Sequence, residues 1–87
     1  MQAQIYTKVN CAYCFKAKEL LNSKGIIYNE YIISSGMNEQ TPSNNQFYVT
    51  RDELLEKAPM AKTVPQIWLE GNYIGGYTEL AAFFDGN

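Results

Sequence analysis

Two cysteines, Cys11 and Cys14, constrain this 87-residue chain more than any other feature. They are the only cysteines in the sequence, and the Cys-x-x-Cys that they form lies between a short run of strand-forming residues and a longer helical pattern. At this spacing one thiolate can attack a disulfide, and the second thiol can then attack the mixed disulfide and release the product. The motif and its position therefore favour thiol–disulfide exchange at a strand-to-helix junction.

Three other interpretations of the cysteine pair stay open at this point. A structural disulfide is one, although closing so short a loop restricts the unfolded chain little. A structural zinc site is another, but such sites take four Cys or His ligands, and the sequence has no His and no further Cys. Free cysteines that pack as small hydrophobic residues are the third. The position beside a predicted helix makes redox chemistry the preferred interpretation.

Length and composition limit the protein to a single small domain over residues 1–87. The hydrophobic fraction of 46% is typical of a globular chain, and a net charge of −2 argues against a nucleic-acid-binding surface. The amino terminus does not have the pattern of a signal peptide, and no apolar run reaches transmembrane length. We therefore expect a cytoplasmic monomer that binds neither nucleic acid nor membranes and carries no metal.

The first half of the sequence reads as a strand, a helix and a second strand. The pattern predicts strands at residues 4–7 and 26–33 and a helix at 13–24, and this order is typical of two parallel strands joined by a right-handed crossover. Cys11 then lies at the helix N-terminus, where unpaired N–H groups and the helix dipole favour a thiolate. Cys14 lies one turn further along and is more shielded. We therefore predict Cys11 as the nucleophile and Cys14 as the resolving cysteine.

A polar stretch and a second helix follow. Residues 34–49 are mostly polar and rich in Ser and Asn, and the sequence predicts a loop there. Thr50 and Glu53 have the spacing of a capping box, which predicts a short helix that ends near Ala58.

The last third of the chain reads as a hairpin and a final helix. Residues 66–69 and 73–74 are predicted as antiparallel strands, and Thr78 is predicted to cap a helix at 79–84. The complete order predicts an α/β fold with a four-stranded mixed sheet and three helices packed on both faces.

Three motifs together resemble the glutaredoxin family. In chain order they are Cys11-Ala12-Tyr13-Cys14, Thr63-Val64-Pro65 and Gly75-Gly76-Tyr77-Thr78. The resemblance covers nearly the whole chain and is nearest to small bacterial and phage members with two active-site cysteines. It implies a thioredoxin-like fold and a disulfide oxidoreductase that uses glutathione as its reducing co-substrate. The expected role is electron transfer in cell redox homeostasis.

The resemblance also implies site residues beyond the cysteines. It implies a cis peptide bond before Pro65, which turns the Val64 backbone towards the cysteines, and Lys8 as a contact for the glycyl carboxylate of glutathione. Backbone N–H groups near Tyr77 and Thr78 are expected to hold the γ-glutamyl carboxylate. The full set of expected glutathione- and substrate-binding residues is Lys8, Tyr13, Lys62, Thr63, Val64, Pro65, Gly76, Tyr77 and Thr78.

Simpler interpretations of these positions stay open. Pro65 can be an ordinary trans proline that opens a strand, the Gly-Gly pair can be a plain turn, and Lys62 can be a solvated surface lysine. The sequence also departs from the commoner family motif at Ala12, where many relatives have Pro. Without Pro this position regains a backbone N–H, so we expect a shifted redox potential.

Three functions follow from the resemblance. The first is glutathione-dependent reduction of protein disulfides and glutathionylated thiols, with ribonucleotide reductase as a possible protein partner. The second is a redox protein reduced directly by thioredoxin reductase. The third is a carrier of a 2Fe–2S cluster held between two protein copies with glutathione.

Overall fold

The computed structural model describes residues 1–34 and 41–85. Its elements in chain order are β1 (Gln2–Thr7), α1 (Ala12–Ser23), β2 (Ile27–Ile33), β3 (Gln46–Val49), α2 (Arg51–Lys57), β4 (Gln66–Leu69), β5 (Asn72–Gly75) and α3 (Tyr77–Asp85). Within the described ranges, no helix is both long and apolar enough to span a membrane.

The strands form one mixed sheet in the order β3-β2-β1-β4-β5. β1 pairs in parallel with β2 and antiparallel with β4, and β4 forms an antiparallel hairpin with β5. The predicted strand–helix–strand unit and the predicted hairpin are both confirmed. Because β4 runs antiparallel to β1, with Gln66 opposite Tyr6, the residues that precede β4 lie beside the residues that follow β1. This register brings the segment 63–65 towards the cysteines.

The sheet has five strands, so the prediction of four strands is wrong. The extra strand, β3, lies inside the predicted loop 34–49 and pairs in parallel with β2, with Gln46 opposite Glu30. Its four residues are too few to show a periodic pattern, and their pairing with β2 is a tertiary contact that the local sequence does not reveal. Residues 35–40 of the predicted loop lie outside the described residues.

The start of α2 agrees with the sequence, whereas the start of α3 does not. The capping box is confirmed: Thr50 Oγ1 accepts from the Glu53 N–H at 3.1 Å, and the Glu53 carboxylate accepts from the Thr50 N–H at 3.3 Å. The prediction that Thr78 caps α3 is wrong, because the helix already begins at Tyr77. The carbonyl of Gly76 accepts the first helical bond, from the Leu80 N–H at 3.0 Å, so Gly76 is the cap. Glycine is an acceptable N-cap, and Thr78 lies two residues further along, inside the helix.

The helices cover both faces of the sheet, as predicted. On one face α1 and α3 bury Leu21 and Leu80 against Ile5 and Ile67. On the other face α2 packs Leu54 against the next residues along the same strands, which are Tyr6 and Trp68. The change of face between neighbouring residues is the ordinary alternation of a β-strand.

An aromatic row crosses the face that α2 covers. It takes one side chain from each strand, and its members in order across the sheet are Phe47, Tyr31, Tyr6, Trp68 and Tyr73. Successive ring centroids are between 4.9 and 5.5 Å apart, which is the range of favourable aromatic pairs. The row therefore links strand β3, at the edge of the sheet, to the central strands.

Leu80 gives a direct test of the core under α3. Its side chain is fully buried, so we expect Leu80→Ala to lower the free energy of unfolding by about 2–5 kcal/mol, the usual cost of such a cavity. Met60 is 88% exposed, and Met60→Ala should change stability by no more than about 0.5 kcal/mol. Urea unfolding of both variants checks this. An equal decrease in the free energy of unfolding for the two variants would contradict the described packing.

Candidate active site

Cys11 stands at the junction between β1 and α1. The chain leaves β1 through Asn10, whose φ of 57° lies in the left-handed region that Asn tolerates better than most residues. Cys11 then adopts the extended backbone of an N-cap, and its Sγ accepts a hydrogen bond from the Cys14 N–H at 3.2 Å. The sulfur therefore takes the place that a Ser or Asp oxygen takes in an ordinary cap, at the positive end of the helix dipole.

The two cysteines form a disulfide but differ in exposure. Their Cα atoms are 5.2 Å apart and the sulfurs are bonded to each other. Cys14 is 2% exposed and packs inside the protein, whereas Cys11 is half-buried at the surface. An incoming molecule can reach the Cys11 sulfur more easily than the Cys14 sulfur.

The segment 63–65 faces Cys11 from the start of β4. The Val64–Pro65 peptide bond is cis, as the resemblance implied, and the Val64 carbonyl oxygen lies 3.8 Å from Cys11 Sγ. The buried side chain of Gln66 fixes this segment, because its Nε2 donates to the Thr63 carbonyl at 2.8 Å and its Oε1 accepts from the Tyr73 hydroxyl. The backbone of Val64 is thus held beside the Cys11 sulfur.

A cleft of about 270 Å³ opens where the cysteine loop meets this segment. The expected site residues that line it are Lys8, Cys11, Tyr13, Lys62, Thr63 and Val64. Sequence reasoning missed Arg51, the first residue of α2, which also lines this cleft. The capping box located the start of α2, but nothing in the sequence indicates that this helix end faces Cys11. Three cationic side chains, Lys8, Arg51 and Lys62, therefore border the cleft.

The Gly-Gly turn packs against the segment 63–65. A Cβ at Gly76 would come within 3.3 Å of the Pro65 carbonyl oxygen, so the absence of a side chain lets the two segments approach closely. The Tyr77 ring lies 5.9 Å from the Tyr13 ring, measured between centroids. As far as the described residues show, Gly76, Tyr77 and Thr78 border the site without lining the cleft itself.

A second, larger cleft of about 950 Å³ also borders the disulfide. Both cysteines line it, together with Thr7, Lys18 and Glu30. No role was predicted for these last three residues, although a carboxylate at the centre of a strand with apolar ends was an available signal.

Glu30 is the buried centre of a polar network. Its carboxylate accepts from Thr7 Oγ1 at 2.7 Å, from Lys18 Nζ at 2.9 Å and from Gln46 Nε2 at 2.9 Å. Burial alone raises the pKa of Glu30, but the hydrogen bonds from Gln46, Lys18 and Thr7 and the charge of Lys18 outweigh burial, so its pKa lies below the ordinary value. The residue is thus a carboxylate at neutral pH although it is only 5% exposed. The network joins β1, β2, β3 and α1.

The described residues offer no set of three His, Cys, Asp or Glu side chains placed to hold a metal ion. A 2Fe–2S cluster takes four thiolate or similar ligands, and one copy of this chain supplies two cysteines.

The strand order, the helix-capping cysteine and the cis-proline segment define a thioredoxin-like protein with a redox-active cysteine pair. The sequence profile of the family described as Glutaredoxin matches residues 3–74. Glutaredoxin 3 of Escherichia coli is 35% identical over 79 residues, which cover 91% of this chain and 81% of that protein. The crystal structure of glutaredoxin 1 from Francisella tularensis, complexed with cacodylate, superposes with a TM-score of 0.71 at 29% identity and covers 98% of this chain and 93% of that one. This chain belongs to the glutaredoxin family.

Some relatives are considerably longer than this chain. Glutaredoxin 1 of Rickettsia felis is 35% identical over 72 residues, which make up 83% of this chain but 61% of that protein. The matched region therefore represents less than two thirds of the length of that relative.

The Glu30 network predicts a specific loss of stability in acid. A glutamate in an unfolded chain has a pKa of about 4.3, and the folded-state pKa of Glu30 is lower than its ordinary value. The network therefore stabilises the fold fully above the unfolded-state pKa, and this stabilisation is lost as pH falls through the folded-state pKa. Urea unfolding at a series of pH values should show this decline in the wild type and a flatter profile in Glu30→Gln.

Glu19→Gln is the matched control for that experiment, since Glu19 is an exposed carboxylate on α1. Its profile should follow that of the wild type. A wild-type decline that survives unchanged in Glu30→Gln would show that another group is responsible.

Proposed function

We propose that this protein is a glutathione-dependent thiol–disulfide oxidoreductase that reduces protein disulfides and glutathionylated thiols. The observation that carries the proposal is the position of Cys11 Sγ, which caps α1 at the mouth of a cationic cleft beside the Val64 backbone. Membership of the glutaredoxin family supports the same conclusion. We also propose that the protein works in the cytoplasm, where glutathione keeps thiols reduced.

In the first step the Cys11 thiolate attacks a sulfur of the substrate disulfide. A bond forms between Cys11 Sγ and that sulfur, the substrate S–S bond breaks, and the other substrate sulfur leaves as a thiolate that takes up a proton. The N–H groups at the start of α1 stabilise the attacking thiolate. The Val64 N–H and C=O can pair with an extended substrate backbone, as in the addition of a strand to a sheet.

In the second step Cys14 resolves the mixed disulfide. Its thiol loses a proton, its sulfur bonds to Cys11 Sγ, and the remaining substrate sulfur leaves as a thiolate. The product on the protein is the Cys11–Cys14 disulfide, the form described here. Two glutathione molecules then reduce this disulfide and leave as glutathione disulfide. A glutathionylated substrate needs Cys11 alone, because a second glutathione can remove the first from Cys11.

The charges around the cleft suit glutathione, which has a carboxylate at each end. Lys8, Arg51 and Lys62 form a cationic border for the glycyl carboxylate. At the start of α3 the Gly76 N–H donates to the Glu79 carboxylate at 2.8 Å, so we assign the γ-glutamyl carboxylate to the N–H groups of Tyr77 and Thr78. A buckwheat glutaredoxin of the same fold, 21% identical with a TM-score of 0.59, has been solved in complex with glutathione.

The protein substrate follows from the resemblance alone. An oxidised ribonucleotide reductase is the partner that the family resemblance suggests. The chemistry derived above requires only an accessible disulfide in an extended segment that can lie along Val64.

The two cysteines should separate two activities. We expect Cys11→Ser to reduce activity to the uncatalysed rate with every substrate, because it removes the nucleophile. Cys14→Ser should retain reduction of a glutathionylated thiol and lose reduction of a protein disulfide, because only the second needs the resolving thiol. An assay coupled to glutathione reductase and NADPH measures both. An inactive wild type, or an active Cys11→Ser variant, would refute the proposal.

Arg51 should contribute to glutathione affinity. An exposed charge pair is worth about 0.2–1 kcal/mol, so Arg51→Met should raise the KM for glutathione by up to about fivefold and leave kcat nearly unchanged. Lys24→Met removes an equivalent charge at the far end of α1 and serves as the control. If both variants behave alike, Arg51 acts only through the net charge of the protein.

A further inference from the structure

Lys18 lies where its positive charge would affect the ionisation of the cysteine pair. It lies four residues after Cys14 on α1, and side chains at this spacing are neighbours on one helix face, with Cβ atoms about 5–6 Å apart. Both residues line the larger cleft. An unpaired ammonium group there would stabilise the thiolate form of the buried Cys14.

Glu30 prevents this by holding Lys18 in an ion pair. The Lys18 Nζ lies 2.9 Å from Glu30 Oε2, and the side chains are 26% and 6% exposed respectively. Thr7 and Gln46 donate to the same carboxylate, so Glu30 is fixed in place by three elements of the fold. Among the described residues, the titratable groups lining this cleft are Lys8 after β1, the two cysteines and Lys18 at or on α1, Glu30 on β2 and Tyr48 on β3.

We propose that Glu30 neutralises Lys18 beside Cys14, so that Cys11 and not Cys14 carries the thiolate of the reduced pair. Glu30 is in this sense a positioning residue, which acts on Cys14 through Lys18. The inference deepens the proposed function, on which it rests, since it explains how two sulfurs in one motif take different roles.

The difference between the two sulfurs matters in both halves of the reaction. A Cys14 thiolate beside the Cys11 thiolate would place two negative charges in one small site, which is unfavourable. The same change would make Cys14 a better leaving group when glutathione attacks Cys11 Sγ in the disulfide, because a more stable thiolate leaves faster. The ion pair therefore governs how easily the disulfide opens as well as which sulfur attacks first.

The test is a pH titration of the reduced protein by NMR with isotope-labelled cysteine side chains, which reports the two sulfurs separately. The variants are Glu30→Gln, Lys18→Met and the double variant Lys18→Met/Glu30→Gln. The controls are Glu19→Gln and Lys24→Met, which make the same charge changes at exposed positions of α1 and its C-terminal cap. The measurement needs no substrate, so its failure is distinct from failure of the activity assays.

Opposite shifts are expected from the two single variants. Glu30→Gln should raise the Cys14 thiolate fraction at neutral pH about tenfold, because it leaves the Lys18 ammonium without its partner in the cleft that Cys14 also lines, in a medium of intermediate dielectric constant. Lys18→Met should lower that fraction, and the double variant should return towards the wild type. If Lys18→Met does not fold, Glu30→Gln and the double variant, which leaves neither charge of the pair, still decide the question.

The proposal is overturned if Glu30→Gln changes the Cys14 thiolate fraction no more than Glu19→Gln does. The proposal is also overturned if both single variants change the Cys14 thiolate fraction in the same direction. A charge effect must have opposite signs in the two variants, whereas a general loss of packing need not.

Discussion

The site depends on one interaction, the capping of α1 by the Cys11 sulfur. Helices begin with unpaired N–H groups, and here the Cys11 sulfur accepts a hydrogen bond from one of them, the Cys14 N–H, at 3.2 Å. The contact that completes the helix would also stabilise a Cys11 thiolate in the reduced protein, so one bond serves both the fold and the proposed chemistry. It also makes the two sulfurs unequal, because the capping residue lies at the surface while Cys14, one turn later, packs inside.

Sheet register then assembles the rest of the site around that cap. The antiparallel pairing of β4 with β1 brings the Val64 backbone next to Cys11, and the Gly-Gly turn after β5 packs against the Pro65 carbonyl. On the opposite side, the parallel pairing of β2 with β1 and β3 buries Glu30 among donors from three other elements. A buried carboxylate is costly unless it is paired, and the donors around Glu30 supply that pairing. The disulfide thus borders both a cationic cleft and a cleft that holds the Lys18–Glu30 ion pair.

The sequence predicted the parts of this arrangement that local patterns encode. The βαβ unit, the hairpin and the capping box at Thr50 were expected from such patterns, whereas the cis bond before Pro65 was implied only by the family resemblance. Strand β3 was not, because four residues after a long polar stretch show no periodicity and pair only through the folded sheet. Arg51 and Lys18 were missed for a related reason: each is an ordinary charged helix residue until the tertiary structure shows which cleft it faces. The cap of α3 was misplaced by two residues because Thr78 has a side-chain oxygen that can cap a helix, whereas a glycine cap such as Gly76 leaves no side-chain signal in the sequence.

Alkylation of the reduced wild-type protein tests the central claim most directly. The protein is treated briefly with a small thiol reagent such as iodoacetamide at mildly acidic pH, and the modified cysteine is located by peptide mass spectrometry. Because only a thiolate reacts quickly, a helix-capping Cys11 beside a shielded Cys14 predicts a single modification, at Cys11. Equal labelling of the two cysteines, or faster labelling of Cys14, would contradict the assignment of the nucleophile and the account of the site built on it.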